Sequence, residues 1–238
     1  MEAQMTRLID KAWAKFLETP PEKRLLIAIG GIPGSGKTTL SLTLTAALNA
    51  RHAAAHPSAP EIAAFVPMDG YHLTRAQLSA MPDPALAHAR RGAEFTFDGA
   101  GFLSLVEALA APITAGSGTV FAPSFDHAAK DPKENDIAVE ATHRIVVFEG
   151  NYVLLSRPPW STAAAHMSLR YFISVPRPVA RARLARRHLA AGLVSTLEDG
   201  DRRAVDNDLP NGDEIVHLLL PDVDEVVESL EDGGWAHS

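Results

Sequence analysis

The sequence predicts an α/β fold: a three-layer sandwich with a mostly parallel central sheet, helices on both faces and a small arginine-rich helical lid. Three observations predict it. First, Gly31-Ile32-Pro33-Gly34-Ser35-Gly36-Lys37-Thr38-Thr39 fills every fixed position of the phosphate-binding pattern G-x-x-x-x-G-K-[ST]. Second, the pattern lies between an apolar run, Leu25 to Ile29, and a Leu-, Ala- and Thr-rich helical stretch, Thr39 to Ala50, the strand–loop–helix order it requires. Third, further apolar runs at Ile62–Pro67, His143–Phe148 and Leu169–Val175 read as buried parallel strands separated by helical stretches.

Residues 2 to 18 place Met5, Leu8, Ile9, Ala12, Trp13, Phe16 and Leu17 at helical spacing with charges between them, an amphipathic helix packed on the domain or serving a homodimer interface. Thr19-Pro20-Pro21 ends it. The loop glycines let the backbone turn its N–H groups around an anion, and the next helix offers its uncapped amides to the same anion. Gly31, Pro33, Gly34, Ser35, Gly36, Lys37, Thr38 and Thr39 are therefore the expected nucleotide contacts. Lys37 reaches the β- and γ-phosphates, and the Thr38 hydroxyl is placed for Mg²⁺.

Arg51 to Pro60 reads as a surface loop whose histidines, His52 and His56, are solvated. The second strand ends at Met68-Asp69-Gly70-Tyr71-His72. A carboxylate at the carboxyl end of a strand lies in the crevice where open α/β sheets bind ligands, so Asp69 is a candidate for chemistry. Leu73 to Arg91 forms one or two short helices broken by Pro82 and Pro84, and Phe102 to Leu109 forms another. After a short strand at Thr119–Ala122, residues 123–132 read as a polar loop.

The next strand ends at Glu149, a second carboxylate placed like a Walker-B acid beside a magnesium ion. Pro178 to Ala191 is a helix carrying Arg181, Arg183, Arg186 and Arg187, which can close over phosphates in an otherwise acidic protein. Residues 207–212 read as a turn-rich joint, residues 213–220 as a short helix, residues 225–230 as a last strand or helix end, and residues 231–238 as a frayed tail. No repeat or linker divides residues 1–238, so one domain is expected, its lid at about 177–205.

The formal charge of −7 argues against nucleic-acid binding. The absence of cysteine excludes disulfides and thiolate metal sites. Neither a signal peptide nor a membrane-spanning run is read in the sequence, so a cytoplasmic or organelle-matrix enzyme without membrane contact is the expectation, cytoplasmic first.

The phosphate loop, Asp69, Glu149 and the arginine-rich helix together resemble the uridine kinase, phosphoribulokinase and pantothenate kinase superfamily of P-loop NTPases, from about Leu25 to Leu230. Residues 68–73, 90–93, 123–127, 149–152 and 207–212 are similar to a subgroup with bacterial fructose-transport-associated kinases and fungal P-loop ATPases or kinases whose substrate is not assigned. The resemblance implies an ATP- and Mg²⁺-dependent enzyme that phosphorylates a hydroxyl of a sugar, nucleoside or pantothenate-like metabolite. It makes Asp69 the general base, Glu149 and Thr38 the metal residues, and Lys37, Arg183 and Arg187 catalytic, with Arg186 on the nucleotide; Asp69 and Glu149 both lie beside the γ-phosphate in this architecture and could exchange roles. Tyr71, His72, Arg91, Asp98, Phe125, Asp126 and His127 are its implied acceptor contacts. Phe125 replaces the family's usual tyrosine, and Lys130 or Asp131 stands where a uridine kinase has a uracil-binding histidine, which counts against uridine. The alternative is an NTPase that couples hydrolysis to a conformational change or a partner, with no small acceptor.

Overall fold

The computed structural model describes residues 2–229. In chain order the elements are α1 (Glu2–Glu18), β1 (Leu25–Gly31), α2 (Lys37–Ala55), β2 (Ala63–Pro67), a 3₁₀ turn at Met68–Tyr71, α3 (Arg75–Ser79), α4 (Pro84–Ala89) and, after a 3₁₀ turn at Glu94–Thr96, α5 (Gly99–Ala110). There follow β3 (Val120–Asp126), β4 (Asp131–Val139), β5 (Ile145–Gly150), α6 (Trp160–Ala164), β6 (Leu169–Ser174), α7 (Arg177–Ala190), α8 (Leu197–Arg203), a π-helical turn at Ala204–Asp208, α9 (Leu209–His217) and β7 (Glu225–Glu228).

Five strands form a wholly parallel sheet in the order β2-β5-β1-β6-β7. Strands buried on both faces need apolar residues along their length, and β1 and β5 have them from Leu25 to Ile29 and from Ile145 to Phe148. Leu25, Ile27, Ile29, Ile145 and Val147 face a core completed by Leu8 of α1 and by Leu40, Leu44 and Leu48 of α2. Leu26, Ala28, Val146 and Phe148 face the opposite core, with Phe102 and Val106 of α5 and Trp160 of α6. The three layers of the expected fold are present, with helices on both faces.

The apolar face of α1 is spent on its own domain: Met5, Leu8 and Ala12 are buried there. Its Gln4 side chain hydrogen-bonds both backbone groups of Glu228 on β7, donating to the carbonyl at 3.2 Å and accepting from the amide at 3.1 Å. This occupies the exposed edge of the sheet.

Three expectations need correction. Residues 51–55 are helical, because the alanine-rich end of α2 continues while Arg51 bonds Asp10 at 2.6 Å and covers the Trp13 ring. Residues 120–139 form an antiparallel hairpin rather than a short strand and a loop. A register shift around Pro123 breaks its alternation, which hides it from a periodicity reading. Residues 207–212 are helical rather than a joint, with Pro210 at the start of α9, directly after the π-helical turn in which the Leu209 amide donates to the Ala204 carbonyl. Gly212 has no side chain because Ile32 packs against it, so its presence marks contact and not a turn. The last strand is β7, parallel to β6; residues 230–238, and with them the expected tail, lie outside the described residues.

Candidate active site at the phosphate loop

The site is built at the carboxyl ends of β1, β5 and β2. Gly34 and Gly36 have φ of 79° and 90°, the left-handed region that only glycine enters freely, so the loop turns twice within three residues. At Gly34 a Cβ would also stand 2.9 Å from the Ala180 carbonyl oxygen of α7, so the lid helix rests directly on the loop. Gly36 opens α2 without a side-chain cap, which leaves the first-turn amides free to meet an anion. The Ser35 hydroxyl is buried beside them with no partner among the described residues.

Parallel pairing puts Gly30 beside Gly150 and Pro67 beside Glu149. Lys37 therefore meets Glu149 at 3.7 Å, with both side chains mostly removed from water. Burial pushes the Glu149 carboxyl well above the usual carboxylate range; Lys37 and a hydrogen bond from Thr38 pull it back, and the charge of Asp69 adds to the rise. Asp69 lies just past the end of β2. Its backbone is wedged in place: a Cβ on Gly70 would stand 2.1 Å from the Pro123 carbonyl oxygen, and one on Gly150 would stand 2.4 Å from Met68 Cβ. These close approaches explain both glycines and bring Asp69, Glu149, Lys37 and Thr38 into one electrostatic group.

The remaining candidates divide. His72 donates from Nδ1 to the Asp69 carbonyl at 2.8 Å, and its ring lies between Phe97 and Phe125 with centroids at 4.1 and 4.7 Å. Burial holds its pKa below the ordinary histidine value, against the pull of Asp69. Asp98 caps α5 by accepting the Gly101 amide at 2.8 Å. Tyr71, His72 and Asp98 share the lining of a cavity of about 420 Å³ between α5 and the hairpin, whereas Arg91, Phe125, Asp126 and His127 do not line it. Arg91 ties the hairpin down, donating to the Lys130 and Leu73 carbonyls and to Asp131. Asp126 accepts the Ala128 and Ala129 amides in the hairpin turn, and these hold its carboxyl below the usual range. His127 is exposed, 5.3 Å from the Phe125 ring.

Among the lid arginines, Arg183 donates to the Gly34 carbonyl at 3.3 Å and to the Ser229 hydroxyl at 2.7 Å. Arg186 and Arg187 are exposed and form no ion pair with any described residue. Sequence reasoning missed Arg90, which donates to Asn207 at 3.1 Å and to Asn211 at 2.6 Å, while Asn207 returns a bond to the Arg91 carbonyl at 3.2 Å. Two asparagines four residues apart were the signal: in a helix they share a face. No cluster of three or more metal-ligating side chains exists among the described residues.

No family model matches the chain. It is 51% identical over 168 residues to an ATP-dependent kinase-like protein of Aspergillus versicolor, covering 71% of this chain and 95% of that one. A uridine kinase-like protein of Schizosaccharomyces pombe is 45% identical over 190 residues, 80% of this chain and 77% of that one. The solved structure of a fructose transport system kinase-like protein from Silicibacter sp. TM1040 superposes with a TM-score of 0.78 at 34% identity, covering 93% of this chain and 98% of that one. The chain thus belongs to the P-loop kinase family of these ATP-dependent and uridine kinase-like proteins.

Proposed function

We propose that the protein transfers the γ-phosphate of ATP to an alcohol group of a small metabolite. The observation that carries this reading is the buried Lys37–Glu149 pair at the phosphate loop with Asp69 beside it. The loop amides and Lys37 hold the terminal phosphates, and Arg183, Arg186 and Arg187 act on them from the lid. Asp69 takes the proton from the acceptor hydroxyl as its oxygen attacks, while the wedged backbone at Gly70 keeps that carboxylate in place. Thr38 and Glu149 offer the hard oxygen donors that suit Mg²⁺, an ion usually held by one or two protein oxygens together with substrate phosphates. When bound, the ion neutralises charge on the phosphates. Tyr71, His72 and Asp98 face the acceptor; Arg91, Phe125, Asp126 and His127 build the hairpin wall around it.

The test is ADP release with Mg·ATP across a panel of sugars, nucleosides, pantothenate and related vitamins, repeated with Asp69→Asn. Stimulation by one class that disappears in the variant supports the reading. Turnover indifferent to every acceptor and to Asp69→Asn would replace it with an NTPase.

A further inference from the structure

The cavity between the Gly70–Thr74 segment, α5 and the base of the hairpin begins one residue beyond Asp69. Its only acidic or basic linings, histidine apart, are Asp98 and Glu134. Two nearby cations are held elsewhere: Arg91 at the hairpin turn, and Lys133 by Asp136 at 2.5 Å. Burial also keeps His72 toward its neutral form. One lining group stands apart. Tyr71 is only 7% exposed and lines the cavity, with its ring edge-on to Phe102. The charges of Asp98 and Glu134 both act on that hydroxyl. A phenol in the cavity wall beside two carboxylates can donate to a ligand oxygen while the carboxylates accept from it, which makes the three a recognition group.

We infer that this cavity takes the non-reacting part of the acceptor, and that the acceptor is a small hydroxylated molecule that is uncharged or bears an amine. The inference rests on the acceptor reading above and narrows it. A ligand hydroxyl can accept from Tyr71 and donate to Asp98 or Glu134, and an ammonium group pairs with either carboxylate. A ligand carboxylate or phosphate would meet two like charges and no lysine or arginine in the lining, a repulsion that costs affinity even at the moderate effective dielectric of a protein surface. Pantothenate-like and phosphorylated acceptors are thereby disfavoured.

Three pyranoses of one size and different charge test this: glucose, glucosamine and glucuronate, added at millimolar concentration to the full chain with Mg·ADP. Binding is read from amide NMR shifts at Tyr71, Ser104 and Glu134, and turnover from ADP release with Mg·ATP. Glucose or glucosamine should move those amides, with glucuronate at least about tenfold weaker; Glu134→Lys should narrow or reverse that order. Glucuronate binding as tightly as the other two, or none of the three moving the cavity amides, overturns the inference. So does turnover of a carboxylate- or phosphate-bearing acceptor, which would leave the kinase reading standing. Acceptor-independent ADP release would instead remove the kinase reading, with the charge preference of the cavity still read by NMR.

Discussion

The Lys37 ammonium stands 3.7 Å from the Glu149 carboxylate, with side chains 11% and 7% exposed. Two charges so sheltered interact strongly, and Lys37 favours the ionised form of Glu149 against the cost of burial. Glu149→Gln keeps the shape but removes the charge. ADP release should fall by about 10²-fold or more, as when one group that stabilises transition-state charge is lost, while binding of a fluorescent ADP analogue changes little. Equal losses in binding and turnover would make Glu149 a structural residue.

The wedge at Gly70 predicts a second outcome. A methyl group there meets the Pro123 carbonyl at 2.1 Å, so either the hairpin or Asp69 must move. Gly70→Ala should cost about 1–3 kcal/mol of stability, the range of overpacking, and should reduce acceptor-dependent ADP release more than ATP binding. Urea unfolding and steady-state kinetics check both. An unchanged acceptor-dependent rate would show that the backbone there does not position Asp69.

His72 predicts a pH dependence. Burial lowers its folded pKa below the unfolded value of about 6.5. Below that value the unfolded chain binds the proton that the folded chain resists, so stability is fully present above about pH 6.5 and is lost as pH falls toward the folded pKa. In His72→Phe, the drop in unfolding free energy between neutral pH and mildly acidic pH should be smaller than in the native chain. Identical slopes from urea titrations would remove His72 as a contributor.

Arg90 holds the two buried asparagines, Asn207 at 7% and Asn211 at 2% exposure. Arg90→Ala leaves two buried carbonyl oxygens without that donor and should cost about 1–3 kcal/mol. Arg90→Lys, which cannot fork to both, should recover only part of it. Full recovery by lysine would assign the effect to charge alone.

Much of the fold was legible because it is written locally. The strands were visible as unbroken apolar runs, since both faces of β1 and β5 are covered. The phosphate loop was visible because its backbone conformation demands glycine at Gly34 and Gly36. The hairpin was not, because Pro123 interrupts its pairing and its outer residues are polar. Helicity at 207–212 was obscured by Pro210 and Gly212, residues that usually signal a turn but here follow a π-helical turn and make a close contact with Ile32.

By itself, the sequence determined the class of fold, the nucleotide loop and the two strand-end carboxylates, because each depends on neighbours only a few residues away. Tertiary structure alone decided which of these groups meet. Lys37 reaches Glu149 because β1 and β5 pair side by side, and Arg90 reaches Asn211 across 121 residues of chain because the lid base folds over the loop after α4. It also separated Tyr71 and Asp98, which line a cavity, from Arg91 and Asp126, whose hydrogen bonds hold the hairpin. Residue type announces what a side chain can do; long-range packing decides which partner uses it first.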